Sequence, residues 1–338
     1  MPPDGYGPWE QVVANLAEGL AARGHEVTVF ASGDSRPAGR LEAVVPEHLG
    51  AHPELPAREL ELLHMAHAFE EARSGRFDLL HNHLNCHPLV FTPFVALPVV
   101  TTLHGSAYLE PATRVVYRRF AALPYVSISR AEREGLPELH YVANVPNGIR
   151  LQDFPFAAAT GRYLAFYGRI SPKKGADRAV AVARRAGLPL RMAGPVPPEE
   201  REFFEQVIRP QLGGRVEYAG ELRGAEKARF LGEALALLQL NRVPEPFGLA
   251  MVEAMACGVP VVGTAVGSIP EVVADRVTGR LVPGGEDEQV IGAAVRALAG
   301  IELIDRAACR RRVEAFFTVE RMVEGYERVY HTLVREGR

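Results

Sequence analysis

Cysteine is scarce in this chain of 338 residues, and long apolar runs are absent from it. The three cysteines, Cys86, Cys257 and Cys309, stand far apart, without the spacing of a disulfide framework or of a zinc site. No run of about 18 apolar residues is long enough to cross a membrane, and no signal peptide is recognisable. We therefore expect a protein of the reducing cytoplasm that has no transmembrane segment.

The chain also lacks a strong excess of either charge. Its formal net charge is -3 at pH 7, and acidic residues outnumber basic ones in the first half. A general nucleic-acid binder would need a strongly basic face, which this sequence does not provide. Attraction to anionic lipid is disfavoured for the same reason, so peripheral membrane contact is not favoured. Arg114, Arg118 and Arg119 form the one local basic cluster, which we interpret as a solvated helix face.

What the chain does contain is a repeated alternation of strand and helix patterns, which predicts parallel sheets covered by helices. The length suits two such domains, at residues 1–150 and 151–317. In the first domain, strand patterns lie at residues 26–31, 77–81, 98–103 and 125–128, and helical patterns at 9–23, 56–73 and 111–122. In the second, strands are predicted at 162–167, 188–192, 216–219, 235–240 and 259–262, and helices at 176–186 and 199–209.

The two ends of the chain add two expectations. Residues 2–8 form a loop that leads directly into a helix, whereas a sheet of this kind begins with a strand, so the first strand is expected to be missing. Residues 318–338 carry apolar side chains at helical spacing, and such a helix must bury its stripe against a neighbour.

The stretch from Glu245 to Glu253 places two carboxylates eight positions apart, across a turn and the start of a helix. At that turn the N–H groups of Phe247, Gly248 and Leu249 have no intrahelical partners and suit phosphate or sugar oxygens. The two carboxylates can accept hydrogen bonds from hydroxyl groups of a ligand that lies over this end. The arrangement suits a polyol attached to an anion.

A second stretch, residues 166–175, runs from a strand end to a helix start with Arg169 and Lys174 five positions apart. Lysine occurs only at Lys173, Lys174 and Lys227, so two adjacent lysines at this turn stand out. We interpret Lys173 as a surface residue. Arg169 and Lys174 are expected to project into a cleft between the two domains.

Histidines provide the third group of candidates. His104 follows a predicted strand in a Leu-His-Gly segment. His81 and His83 alternate near Cys86 and His87, which raises the question of a metal. No acidic residue lies within residues 81–87 to complete the set and no Asp-x-Asp motif occurs, so no metal site is predicted. A role in lining a ligand cleft is favoured for His83 or Asn85 instead.

These motifs together resemble those of retaining glycosyltransferases of family 4. The resemblance covers nearly the whole chain and rests on the Glu-x7-Glu string, the Gly-Arg-x4-Lys-Gly segment and the Leu-His-Gly element. It implies an α/β protein of the GT-B fold, with two Rossmann-like doubly wound domains facing a cleft. It also implies that the helix at 318–338 crosses back onto the N-terminal domain.

The resemblance implies a role for each candidate. Arg169 and Lys174 would hold the diphosphate of a nucleotide sugar, Glu245 would contact the sugar, and Glu253 the ribose. His104 would reach the donor sugar or the reacting hydroxyl from the N-terminal domain. Further donor contacts are implied for Gly7, Asn147, Gly168, Glu221, Leu222, Phe247, Gly248 and Leu249. Proline at position 8 replaces a second glycine of the family's loop, which puts one contact near Gly7 in doubt.

The implied activity is transfer of a hexose from a UDP- or GDP-hexose to an unidentified hydroxyl acceptor with retention at the anomeric carbon. Neither a cofactor nor a metal is expected, because the cations and the helix-start N–H groups supply positive potential. Two alternatives stay open at this point. A nucleotide-sugar epimerase would use a similar donor site without an acceptor, and a non-catalytic sugar-binding module would use it without turnover.

Overall fold

A computed structural model of the chain describes residues 7–105 and 111–336. Residues 2–6 of the predicted loop at 2–8 lie outside the described residues. The chain divides into two compact units. The first contains residues up to Gly148 together with the segment that starts at Val319, and the second runs from Ile149 to Thr318. Both units are α/β, as the alternation of patterns predicted.

Parallel strands form two separate sheets in the first unit. A two-stranded sheet pairs β1 with β2, and a four-stranded sheet has the order β3-β4-β5-β6. All side chains of β4 are buried, as expected for a central parallel strand that is covered on both faces. The strands are β1 Thr28–Phe30, β2 Arg40–Glu42, β3 Leu80–Asn82, β4 Val99–Thr102, β5 Tyr125–Ser127 and β6 Tyr141–Asn144.

Two helices from opposite ends of the chain pack together in this unit. The first described helix, Pro8–Ala22, lies against the last, Val319–Glu336. Gly19 allows the close approach, because a Cβ added there would stand 2.5 Å from a methyl group of Val323. The last helix buries one stripe of side chains at helical spacing: Val319, Met322, Val323, Tyr326, Val329 and Leu333. The other helices of this unit are Ala57–Ala72 and Arg114–Arg119.

The second unit contains a six-stranded parallel sheet in the order β12-β11-β10-β7-β8-β9. Counted within the unit, this is the 3-2-1-4-5-6 order of a Rossmann fold, with the reversal between β7 and β10. Ligands of such sheets bind at the carboxyl ends of the strands beside that reversal. The strands are β7 Tyr163–Tyr167, β8 Leu190–Ala193, β9 Val216–Tyr218, β10 Ala234–Gln239, β11 Val261–Thr264 and β12 Gly279–Val282.

Helices connect these strands. Numbered through the chain, the helices are α1 Pro8–Ala22, α2 Ala57–Ala72, α3 Arg114–Arg119, α4 Ala176–Ala186, α5 Arg201–Phe203, α6 Gly224–Gly232, α7 Leu249–Ala256, α8 Ile269–Val272, α9 Asp287–Ala297, α10 Arg306–Phe316 and α11 Val319–Glu336. No helix among residues 7–105 and 111–336 is long and apolar enough to span a membrane.

Several predicted elements differ from the structure in extent. The helix predicted at 199–209 is only briefly α-helical and continues as a π-turn, Phe204–Ile208, and a 3-10 turn, Arg209–Gln211. Pro210 lacks an N–H group and so cannot extend the regular pattern of hydrogen bonds. The predicted helix at 111–122 is regular only from Arg114 to Arg119. Strands β2, β6 and β12 were not predicted, and each stands at the edge of its sheet.

Candidate active site

Glu245 is held by donors from two neighbouring loops of the second unit. Its Oε2 atom accepts hydrogen bonds from Lys174 Nζ at 2.5 Å, from Asn241 Nδ2 at 2.7 Å and from Gln239 Nε2 at 3.3 Å. The side chain is only 6% exposed. All three bonds reach the same oxygen, and no donor to Oε1 is found among the described residues. One oxygen of the carboxylate is therefore fixed while the other remains available to a ligand hydroxyl.

The backbone at the ends of β7 and β10 brings Lys174 and Glu245 together. Lys174 follows β7, and Gly175 then starts α4 with φ of 73°. A Cβ at Gly175 would stand 2.1 Å from the carbonyl oxygen of Leu240, just after β10, so only glycine permits this approach. The Lys174–Glu245 pair thus lies at the reversal of strand order, where a Rossmann sheet binds its ligand.

Arg169 lies on the same turn but does not join this network. Its side chain is exposed, and no ion pair to it is found in the described part of the chain. Gly168, directly before it, has φ of 150° and donates its N–H to the carbonyl of Ala193. Lys173 is also exposed, as its interpretation as a surface residue requires. Arg169 is therefore a solvated cation that can turn toward an anion.

Helix α7 begins directly after Glu245. Gly248 precedes it in the left-handed region with φ of 83°, and no side chain caps this end. The N–H group of Leu249 has no intrahelical partner and leaves a partial positive charge at this end, whereas that of Met251 donates to the carbonyl of Gly248 at 3.0 Å. Phe247 is buried, packs edge-to-face on Phe317 and accepts a hydrogen bond from Ser268 through its carbonyl. These contacts fix the turn that presents the N–H groups.

Glu253 is paired with a lysine that the sequence motifs did not single out as a site residue. Lys227 Nζ lies 2.7 Å from Glu253 Oε1, and Glu253 is 8% exposed. The same ammonium group stands 5.1 Å from the ring centre of Phe154 and 5.7 Å from that of Tyr167. Since attraction to aromatic faces adds to the ion pair, Lys227 is held in place over this pocket of side chains.

Tyr167 links this pair to Leu222, one of the implied donor contacts. Its hydroxyl donates to the carbonyl of Leu222 at 3.5 Å, a long hydrogen bond. Glu221, next to it, is exposed. Leu222, Lys227 and Glu253 therefore belong to one neighbourhood.

In the first unit, His104 is buried at the carboxyl end of β4. Its Nε2 atom lies 3.0 Å from His83 Nδ1, and Trp9 stacks on its ring at 5.7 Å between centroids. Its Nδ1 atom is buried and has no partner among the described residues. Burial lowers the pKa of His104 to about 4, so the ring is neutral near pH 7. A neutral imidazole has one donor and one acceptor nitrogen, and both kinds suit a sugar hydroxyl.

The turn after His104 is tied down by a buried carboxylate. Glu132 accepts hydrogen bonds from the backbone N–H of Gly105 and from that of Ile128 at 2.9 Å. Glu132 is fully buried. Its position 27 residues beyond the Leu-His-Gly segment explains why the sequence motifs gave no sign of this contact.

The unfolding free energy is expected to fall as the pH is lowered from about 6.5 toward 4, partly because of His104. An unfolded histidine has a pKa near 6.5, so below that pH the unfolded chain binds a proton that the folded chain does not. The stability from neutral His104 is present above pH ~6.5 and is lost as the pH falls through 4. Denaturant titrations at pH 7 and pH 4.5 measure this loss. His104→Asn should lose about 2–3 kcal/mol less than the parent over this range, and equal losses would contradict the assignment.

The remaining candidates of the first unit are Gly7 and Asn147. Gly7 precedes α1, and its carbonyl accepts the N–H of Gln11 at 3.0 Å. Asn147 is buried, and its Oδ1 atom has no partner among the described residues. An unsatisfied amide oxygen in such a place is costly unless a ligand or water approaches it.

The candidates thus fall into two groups, each within one unit. The first unit holds Gly7, His104 and Asn147, and the second holds Gly168, Arg169, Lys174, Glu221, Leu222, Glu245, Phe247, Gly248, Leu249 and Glu253. Residues 7–105 and 111–336 contain no cluster of three or more His, Cys, Asp or Glu side chains that could hold a metal ion. The histidines at 81 and 83 instead bond to other side chains.

Both units match models of known families. The model described as Glycosyl transferases group 1 matches residues 151–313, and that described as Glycosyltransferase Family 4 matches residues 9–153. A D-inositol 3-phosphate glycosyltransferase of Streptomyces scabiei is 30% identical over 332 residues, which cover 80% of this chain and 74% of the relative. The chain therefore belongs to glycosyltransferase family 4.

Solved structures agree with this assignment. AviGT4, a glycosyltransferase involved in avilamycin A biosynthesis, is 26% identical with a TM-score of 0.72, over 99% of this chain and 92% of its own. Anabaena Alr3699/HepE, solved in complex with UDP-glucose, is 18% identical with a TM-score of 0.74, over 97% and 96% of the two chains, and shows the fold alone. The predicted GT-B fold and glycosyltransferase activity are thus confirmed.

Proposed function

We propose that this glycosyltransferase moves a hexose from a nucleotide diphosphate sugar to a hydroxyl acceptor, with retention at the anomeric carbon and without a metal. The observation that carries the proposal is the pair of Lys174 and Glu245 at the reversal of strand order. A cation for phosphate and a carboxylate for sugar hydroxyls stand there side by side. The available oxygen of Glu245 accepts a hydrogen bond from a hydroxyl group of the sugar.

Positive charge at the diphosphate comes from the chain itself in this proposal. Lys174 and the solvated Arg169 bind phosphate oxygens, and the N–H groups at the start of α7 add their partial charge. All three stabilise the charge that grows on the diphosphate as the sugar leaves. A metal ion is then not needed to neutralise the leaving group.

The remaining roles follow from the neighbourhoods in each unit. Glu253, paired with Lys227, accepts hydrogen bonds from the ribose. The segment at Glu221 and Leu222 takes the base. His104 contacts the donor sugar or the acceptor hydroxyl, and Asn147 and Gly7 provide further polar contacts.

The reaction itself is a substitution at the anomeric carbon. The bond from that carbon to the diphosphate oxygen breaks, and a bond to the acceptor oxygen forms on the same face. The acceptor's proton passes to the departing phosphate oxygen. Glu245 and Glu253 hold the substrate and form no covalent bond to it, and the donor is a UDP- or GDP-hexose.

Thermal unfolding in the presence of a panel of nucleotide sugars tests the donor. A ligand that binds only the folded protein raises the unfolding temperature, so one UDP- or GDP-hexose should do so and the matching nucleotide monophosphates less. NMR of the product formed from that donor and a hydroxyl acceptor should show the same anomeric configuration as the donor. The rate of transfer should be the same with and without EDTA.

Four other outcomes would contradict the proposal. An inverted product would exclude retention, and loss of transfer in EDTA would require a metal. An epimerised nucleotide sugar formed from donor alone would identify an epimerase instead. Binding without acceptor-dependent nucleotide release would identify a sugar-binding module.

A further inference from the structure

A row of histidines lies on one face of the four-stranded sheet in the first unit. His81 and His83 alternate along β3 and its end, so they share a face. Thr102, the last residue of β4, and His104, just beyond it, alternate in the same way, and β4 pairs with β3 in parallel register. The rings of His81 and His83 are 3.9 Å apart between centroids, and His83 reaches His104 through a 3.0 Å hydrogen bond.

The other end of this row is anchored by the last helix, α11. Tyr330 Oη lies 2.6 Å from His81 Nδ1, and Thr102 Oγ1 lies 2.8 Å from His81 Nε2. Tyr326 Oη in turn lies 3.0 Å from Thr102 Oγ1. Both ring nitrogens of His81 therefore have hydroxyl partners, and the ring has little freedom to rotate. His83, whose ring is tilted 42° against that of His81, packs directly on it.

All three rings are neutral. Burial lowers the pKa of His81 to about 3 and that of His104 to about 4, and the pKa of His83 lies well below its usual value. In a pair of neutral imidazoles one nitrogen donates and the other accepts. The hydrogen bond at one nitrogen of a histidine decides which tautomer it adopts. The two tautomers are therefore linked: if His83 Nδ1 donates, the free Nδ1 atom of His104 carries a proton and is a donor, and if His83 Nδ1 accepts, that atom is an acceptor.

We propose that His83 is a positioning residue of this glycosyltransferase: it fixes the tautomer and orientation of His104, and α11 holds it in place through Tyr326 and Tyr330. The free Nδ1 of His104, buried and without a partner among the described residues, is the atom presented to the substrate. The inference rests on the proposed function insofar as His104 contacts sugar or acceptor. A residue that only filled the core would need no hydrogen bond directed at the ring nitrogen of His104.

Two substitutions of His83 separate its ring from its nitrogen. His83→Phe keeps an aromatic ring beside His81 but removes the hydrogen bond to His104. His83→Asn gives up the ring but keeps a side-chain nitrogen near the position of Nδ1. We expect His83→Phe to lower kcat by about 10- to 100-fold with little change in the donor KM, and His83→Asn to recover most of the loss. Equal kcat values for His83→Phe and the parent, or no recovery in His83→Asn, would overturn the proposal.

Nitrogen NMR of histidine-labelled protein tests the same point without turnover. The ring nitrogens of His104 should show a single neutral tautomer in the parent and in His83→Asn, and a tautomer mixture in His83→Phe. An unchanged His104 spectrum in His83→Phe would overturn the proposal. If the parent transfers no sugar from any donor while the spectra change as expected, the proposed function fails and the positioning role stands.

A third substitution tests the link to α11. Tyr330→Phe removes only the hydroxyl that bonds His81, and should broaden or shift the His104 ring signals and lower kcat several-fold. Tyr125→Phe is the matched control, because it removes another hydroxyl of the same unit, which donates to the carbonyl of Phe120. Equal effects of both variants on kcat and on His104 would show that α11 has no special part.

Discussion

Replacing Lys174 by alanine is expected to lower turnover by about 100- to 1000-fold, the usual loss when one stabilising donor is removed from a transition state. Lys174 lies at the reversal of strand order, with its ammonium group against Glu245. In the proposed reaction it stabilises the departing diphosphate, which carries more negative charge in the transition state than in the bound donor, so the loss should appear mainly in kcat. Steady-state kinetics with saturating donor measure it.

Lys173→Ala is the matched control for this substitution. Lys173 is the adjacent residue with the same side chain, but it is exposed, so its removal should change turnover less than about twofold. Lys174→Ala also leaves the buried carboxylate of Glu245 with only amide donors, which costs stability. Denaturant unfolding must therefore show that the variant is folded at the assay temperature. Near-parental turnover in a folded Lys174→Ala variant would remove the proposed role at the diphosphate.

Much of this site was predictable because its motifs sit where strands end. Glu245 and Lys174 follow β10 and β7, and strand patterns at residues 162–167 and 235–240 anticipated those strands closely. In a parallel sheet the carboxyl ends of all strands lie at the same edge. A motif after each of two strands is then enough to expect one site, provided that the strands are neighbours. The predicted α/β class implies a parallel sheet, but it does not say that these two strands are neighbours in it.

The pairings across the chain could not be predicted in the same way. Lys227 lies on α6 in a segment with no unusual pattern, and only the folded chain places it against Glu253. Likewise, His81 bonds to Tyr330, which lies 249 positions further along the chain. Nothing in the sequence near either residue indicates the other. Such contacts depend on how helices dock on sheets, and helical spacing alone fixes which face is apolar but not which partner it meets.

Glu245→Gln is expected to reduce kcat/KM for the donor by about 10- to 100-fold, because a hydrogen bond to a charged group contributes about 1.5–3 kcal/mol. In the parent, Oε2 faces the donors Lys174, Asn241 and Gln239. A glutamine must turn its one oxygen toward those donors to avoid placing N–H against N–H. Its amide nitrogen then points where Oε1 stood, so an acceptor for the sugar hydroxyl becomes a donor.

The exchange of an acceptor for a donor makes the Glu245→Gln experiment specific for the sugar part of the ligand. The donor sugar should lose affinity, whereas the free nucleotide, which lacks the sugar, should bind almost as tightly as to the parent in calorimetric titrations. Glu288→Gln is the control, since Glu288 pairs with Arg185 on the surface and its loss changes net charge equally. If nucleotide and nucleotide sugar lost affinity in equal measure, Glu245 would act on the fold of the pocket and not on the sugar. In the proposed site, the acceptor oxygen of Glu245 distinguishes recognition of a sugar from recognition of a phosphate.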